Sequence, residues 1–221
     1  MTLSVNSIAL ADWRQQVAEL YAAVRHHNDP EQAWHAFRAG RDRLFKLHSQ
    51  SPLTAEQKAG FASLPYFPYD SGWRRTGTID GNVDRETFTM QLATDGEFRY
   101  TRIARVRFSV GGRPFALSLF WIEGYGGGLF LPFRDATNQQ TTYPGGRYLY
   151  DTIKGADLGN SLDEFILDFN YAYNPSCAYD NQWVCPLPPP ENTLPLAVQA
   201  GEQRTPTDSC RYSQFTASRG K

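Results

Sequence analysis

The chain has 221 residues, 41% of them hydrophobic and 14% aromatic, which is ample for one sizeable packed domain. Its formal net charge is −1, which argues against a general binder of nucleic acid or other polyanions, whose affinity rests on neutralising phosphates. No apolar run reaches the ~20 residues needed to span a bilayer, and the N-terminus lacks the basic and apolar regions of a signal peptide. The composition therefore reads as a cytoplasmic protein that engages neither membrane nor nucleic acid, and it says nothing about oligomeric state.

Asp12 followed by Gln15 has the spacing of a helix capping box, and Trp13, Val17, Leu20, Tyr21 and Val24 form an apolar stripe at helical spacing. Asp29-Pro30 starts a second helix, with proline at the position where its missing N–H is harmless. Trp34, Phe37, Leu44 and Phe45 supply its buried face. Ser51-Pro52 ends that helix, and Thr54 with Gln57 caps a short third one. From about Pro65 the period changes, beginning with an aromatic, proline-punctuated link over 64–69.

The segments 83–92, 98–110 and 113–123 then alternate at period two, the mark of half-buried strands. In the second, Tyr100, Ala104, Val106, Phe108 and Val110 are expected on one face, and Arg99, Thr101, Arg105 and Arg107 on the other. Asp95-Gly96 and Gly111-Gly112 read as hairpin turns. Further strands are expected at 129–133, 147–150 and 164–173. The predicted fold is α+β: an antiparallel β-barrel or sandwich covered by N-terminal helices. The expected organisation is a helical segment over 1–64 packing on the sheet, and an antiparallel β domain over 65–202 ending in a proline-rich strap. A disordered tail is expected over 203–221.

Several long blocks stand out: RDRLF at 41–45, SPL at 51–53, YFPYD at 66–70 and EGYGGGLFLPFRDATNQQTTYPGGRYL at 123–149. To these add DFNYAYNPSCAYDNQWVCPLPPPEN at 168–192 and AGE at 200–202. In this order the chain resembles the domain of unknown function 1684 family over roughly residues 40 to 202. The resemblance implies membership of an uncharacterised prokaryotic family. It implies no catalytic residue, cofactor or activity, so the residues must be read on their own chemistry.

On a strand running to residue 173, Asp168 and Asn170 would sit side by side on one face, opposite Leu167, Phe169 and Tyr171. A buried carboxylate there needs a cationic partner, and Arg134 and Arg147, with Tyr148 beside them, come from neighbouring blocks. The functional expectation is a polar pocket of Arg134, Arg147, Tyr148, Asp168 and Asn170 that binds a small polar or anionic molecule, with catalysis left open. The alternative is a non-catalytic structural or protein-interaction module in which the same residues form a buried ion-pair network. A weaker alternative is a metal-binding protein using Cys177 and Cys185. Their spacing suits a local disulfide or two buried thiols better than a zinc site, and a reactive thiol is a further reading.

All four histidines lie in the helical part and no nucleophile-elbow motif is present, which disfavours Ser–His–Asp chemistry. The glycine run 124–128 lacks the Lys-Ser/Thr of a phosphate loop and leads into a strand, so it reads as a turn. The Arg99, Arg105 and Arg107 stripe reads as a solvated strand face. The prolines 188–190 read as a strap lying on the protein's own surface, packed on Tyr179 and Trp183.

Overall fold

The computed structural model describes residues 3–92, 96–161, 164–205 and 218–219. Asp95 of the expected Asp95-Gly96 turn and most of the expected disordered tail, Cys210 included, fall outside these residues. Within the stretch expected to be disordered, Ser218–Arg219 forms a two-residue strand against Phe88 and Thr89.

Helices come first: α1 (Leu3–His26), α2 (Pro30–Leu47) and α3 (Ala55–Ala59). The Asp29 carboxylate accepts from the backbone N–H groups of Glu31 and Gln32, and Pro30 takes the first helical position. Thr54 and Gln57 make both bonds of a capping box. Asp12 does not cap a helix, because α1 already begins at Leu3. Its carboxylate instead accepts from Gln16 one turn on and lies 2.8 Å from His48 Nε2, tying α1 to the end of α2. The D-x-x-Q spacing that suggested a cap also occurs within a continuous helix. Tyr21, Trp34, Phe37, Leu44 and Phe45 turn inward, and the Phe37 ring packs edge-on against Tyr171 at 4.9 Å.

The strands are β1 (Arg74–Asp80), β2 (Thr87–Leu92), β3 (Gly96–Val110), β4 (Arg113–Ile122), β5 (Gly128–Phe133), β6 (Arg147–Asp151), β7 (Glu164–Asp168) and β8 (Ser218–Arg219). They form one antiparallel sheet in the order β6-β5-β4-β3-β1-β7, with β2 and β8 continuing from β3, and the sheet curls into a half-barrel. The fold is thus α+β, as expected. Gly111 and Gly112 make the β3–β4 turn with φ of 57° and 75°, where a Cβ would be strained. Strand β1 has no counterpart among the predicted elements. Its one buried residue is Gly77, whose missing side chain makes room for Val106, so no apolar alternation marks it.

The predicted face of β3 requires correction. Arg102 pairs with Phe120 and Ala104 with Leu119, so Ile103 is an extra residue in the ladder. One inserted residue reverses which side the following side chains take. Ala104, Val106 and Phe108 join the main core with Leu117 and Leu119, whereas Tyr100 joins a second cluster with Phe88, Phe120 and Phe130. The last strand also ends earlier than expected, at Asp168, and Phe169–Tyr171 is a 3-10 turn capped by the Asp168 carboxylate.

The proline-rich strap crosses β4, β5 and β6. Tyr148 Oη donates to Pro186 O at 2.5 Å, Pro188 packs over Gly146, and Glu191 meets Arg102 at 2.5 Å. Asn192 fastens its far end. The Asn192 amide oxygen accepts from Ser118 N–H at 2.8 Å, and its amide nitrogen donates to Ser118 O at 2.9 Å and Pro132 O at 2.7 Å. Replacing a fully buried side chain that serves three main-chain groups leaves them without partners. Asn192→Ala is therefore expected to lower unfolding free energy in urea by ~3 kcal/mol or more, against ~1 kcal/mol for Thr54→Ala at the exposed cap.

Candidate functional site

The five expected site residues do not converge. Arg147 and Tyr148 are neighbours on β6, so strand alternation sends them to opposite sides. Arg147 enters the main core beside Phe133. There its Nη2 donates to Asp135 Oδ2 at 2.9 Å and Val198 O at 3.0 Å, and its Nη1 to the carbonyls of Ala200 and Glu202. It is fully buried and faces protein on all sides, in an ion pair with Asp135 and not with Asp168. Tyr148 belongs to the second cluster and binds the strap. Arg134 serves through its main chain, its N–H donating to Asn192 O and its carbonyl accepting from Leu194.

Asp168 and Asn170 do meet, through the 3-10 turn instead of along a strand. Asp168 Oδ1 accepts from Asn170 N–H at 3.1 Å and from its side-chain amide at 2.9 Å. Asn170 also pairs with both main-chain groups of Asp70 and accepts the Trp34 indole N–H on its carbonyl, so it fixes the aromatic link 66–70. The cation opposite Asp168 is Arg74, its register partner on β1, with Nε 3.6 Å from Oδ2.

Asp168 and Arg74 line a cleft of about 290 Å³ between the β1/β7 edge and the corner joining α1 to α2. Arg25 and His27 stand at the rim, where Arg25 Nη1 donates to Asp157 O and His27 Nδ1 accepts from Asp29 N–H. Tyr171 also lines the cleft. It is 1% exposed, and among the described residues its hydroxyl oxygen has no hydrogen-bond partner. Burial holds that hydroxyl's proton well above the usual phenol range, so it is a donor at any working pH. Burial also raises Asp168 from 3.8 to about 6, against the opposing pull of Asn170 and Arg74. The cleft thus offers a half-exposed guanidinium, a phenol donor and a carboxyl that changes charge near neutrality.

Arg74 and Tyr171 escaped the sequence reading for separate reasons. Arg74 lies on the strand that carries no apolar pattern, and Tyr171 was assigned to a core face by extending period two past Asp168. The available signal was chemical, since a buried tyrosine hydroxyl needs a partner.

A second polar cavity, about 60 Å³, is lined by Tyr21, Arg41, Tyr148, Asp151, Tyr173 and Asn174 among others. Next to it, Cys177 and Cys185 are thiols, and the Cys177 amide donates to Cys185 Sγ at 3.4 Å. Among the described residues no group of three or more His, Cys, Asp or Glu side chains is placed to hold a metal ion, and no helix is long and apolar enough to cross a membrane.

The family described as "Protein of unknown function (DUF1684)" matches residues 59–203, two thirds of the chain, and includes β1 to β7, Asp168, Tyr171 and the strap. The chain belongs to the DUF1684 family. Its fold is similar to the solution NMR structure of an uncharacterized protein from gene locus rrnAC0354 of Haloarcula marismortui, 38% identical, with a TM-score of 0.58. The likeness covers 78% of this chain and 93% of that one. No curated protein matches. The family match begins at residue 59, so α1, α2 and the Arg25 and His27 rim of the DUF1684 protein's cleft lie outside the matched region, whereas Arg74, Asp168 and Tyr171 lie within it.

The raised Asp168 gives this DUF1684 protein a defined pH dependence. The folded state holds the Asp168 proton more tightly than the unfolded chain, so its contribution to stability is full below about pH 4 and is lost as pH rises through about 6. A shift from 3.8 to about 6 corresponds to ~3 kcal/mol. Asp168→Asn keeps the acceptor oxygen and removes the titration. Relative to wild type, its unfolding free energy is expected to rise by ~3 kcal/mol between pH 4 and pH 7, measured by urea denaturation at both pH values.

Proposed function

We propose that the Arg74–Asp168–Tyr171 cleft is a binding site for a small anionic molecule, such as a carboxylate. The observation that carries this reading is the buried Tyr171 hydroxyl, without a partner among the described residues, in a cleft that also holds a half-exposed guanidinium. A buried donor left unpaired is unfavourable unless something else accepts from it, and an anionic oxygen does so best. Arg74 supplies charge and a planar fork for two oxygens. Asp168, once protonated, becomes a second donor in place of a repelling carboxylate. It is also a group in the cleft able to give or take a proton near neutrality, the property required of a general acid or base.

Anion binding and Asp168 protonation are linked on this reading, so each favours the other. Affinity for a small carboxylate is expected to fall as pH rises through about 6, by roughly tenfold per unit at most, and the fall should vanish in Asp168→Asn. Calorimetric titration with acetate, succinate and inorganic phosphate between pH 5 and pH 8 tests this. A flat profile in wild type sinks the reading.

The competing reading, a non-catalytic module, is supported by the Arg147 network, and two variants separate them. Arg147→Ala strands the buried Asp135 carboxylate and should lower stability by ~3–5 kcal/mol whatever the function. Arg74→Ala removes an exposed cation and should change stability by less than ~1 kcal/mol while abolishing anion-induced stabilisation in a thermal melt. A wild type that no small anion stabilises favours the module.

A further inference from the structure

Cys177 and Cys185 lie outside the cleft and play no part in the reading above. Cys177 belongs to a one-turn 3-10 segment, Ser176–Ala178, and Cys185 lies where the strap begins. The fold turns these ends toward each other, and Cys185 Sγ accepts from the Cys177 amide at 3.4 Å. A sulfur held against the backbone of the other cysteine lies within reach of that residue's own sulfur. The Lys154 ammonium acts on the same sulfur from the next turn of chain, where it also pairs with Asp151 at 3.4 Å. Other groups facing it are the phenols of Tyr148 and Tyr173, both kept protonated by burial.

We propose that Cys177 and Cys185 are a reversible dithiol–disulfide pair oxidised by hydrogen peroxide, with Cys185 as the attacking thiol and Cys177 as the resolving one. The Cys177 backbone amide donates to Cys185 Sγ, and the Lys154 ammonium adds a favourable charge. That is the setting that stabilises a thiolate, the nucleophilic form. The Cys177 thiol first and Lys154 next draw Cys185 down to about 7 despite its burial. Cys185 is 7% exposed, so the oxidant must be small, which peroxide is.

The chemistry balances as follows. The Cys185 thiolate attacks one peroxide oxygen, a sulfur–oxygen bond forms, the oxygen–oxygen bond breaks, and hydroxide leaves with the proton given up by that thiol, as water. Cys185 is then a sulfenic acid. Cys177 sulfur attacks Cys185 Sγ, a sulfur–sulfur bond forms, and the sulfenic oxygen departs with the Cys177 proton as a second water. Two thiols lose two electrons in total, and one peroxide becomes two waters. The product closes the segment 178–184, which carries the part-exposed Trp183 and Val184, between the 3-10 turn and the strap.

The test uses the full chain with Cys210→Ser, so that only these two thiols remain. The reduced protein is treated with equimolar hydrogen peroxide, alkylated and mapped by mass spectrometry. The expected result is a cross-linked Cys177–Cys185 peptide that dithiothreitol returns to two alkylatable thiols. Cys177→Ser should leave Cys185 as a sulfenic acid trapped by dimedone, and Lys154→Met should slow oxidation at pH 7 by ~3-fold or more, as its thiolate fraction falls. The proposal is overturned if both thiols remain alkylatable in the folded wild-type pair. It is equally overturned if Cys185 proceeds to sulfinic acid without a cross-link. Neither readout depends on the Cys177→Ser or Lys154→Met variant folding, and neither involves the Asp168 cleft.

Discussion

One guanidinium organises the middle of this molecule. Arg147, at the start of β6, is fully buried and donates to Asp135 and to the carbonyls of Val198, Ala200 and Glu202. It thereby pins an irregular segment along the sheet, where carbonyls with no ladder would otherwise lie unpaired. Pinning 198–202 delivers Glu202 into the layer between helices and sheet. There its carboxylate meets Arg41 of α2 at 3.1 Å, the Tyr179 hydroxyl, and the Asn174 N–H at 3.2 Å. A cation on the sheet thus anchors the helices through a length of chain that belongs to neither. Such buried pairs are weak evidence of net stabilisation against an apolar replacement, but they fix one arrangement, because losing a partner leaves a stranded charge.

The cleft is a product of how β7 ends. Asp168 sits opposite Arg74 in the β1 ladder, yet its carboxylate also caps the 3-10 turn that stops the strand. Capping turns the chain inward. That brings Tyr171 beneath the α1–α2 corner, where Phe37 packs on its ring at 4.9 Å and leaves its hydroxyl at the cleft. The residue that terminates the strand is therefore the one whose charge depends on the cleft, and structure and chemistry are not separable there.

Much of the fold was readable because local rules and tertiary demands agree: the Asp29 and Thr54 caps, the Gly111-Gly112 turn, the alternating segments of β3 and β4. What escaped depends on longer-range facts. Strand β1 is invisible to apolar periodicity, since its buried residue is a glycine complementary to a valine on β3. The inserted Ile103 reverses a face without any mark in residue type. As for the site, the residue classes Arg, Asp, Asn and Tyr recur around Asp168, but the arginine and tyrosine differ from those foreseen. Adjacent positions on one strand face apart, so Arg147 and Tyr148 never shared a pocket, and that much was available from alternation alone.

The inserted residue in β3 has a consequence for how the interior is arranged. It divides the apolar interior into a large body under the helices and a smaller one around Phe88, Tyr100, Phe120 and Phe130. Tyr173 packs against both, and its main chain exchanges N–H···O bonds with Tyr148 at 3.0 and 2.9 Å. The Tyr173 ring thus touches both of two halves of unequal size. Strands β3, β4, β5 and β6 each carry side chains of both bodies, so the same hydrogen-bonded ladder that separates the two interiors also holds them in register.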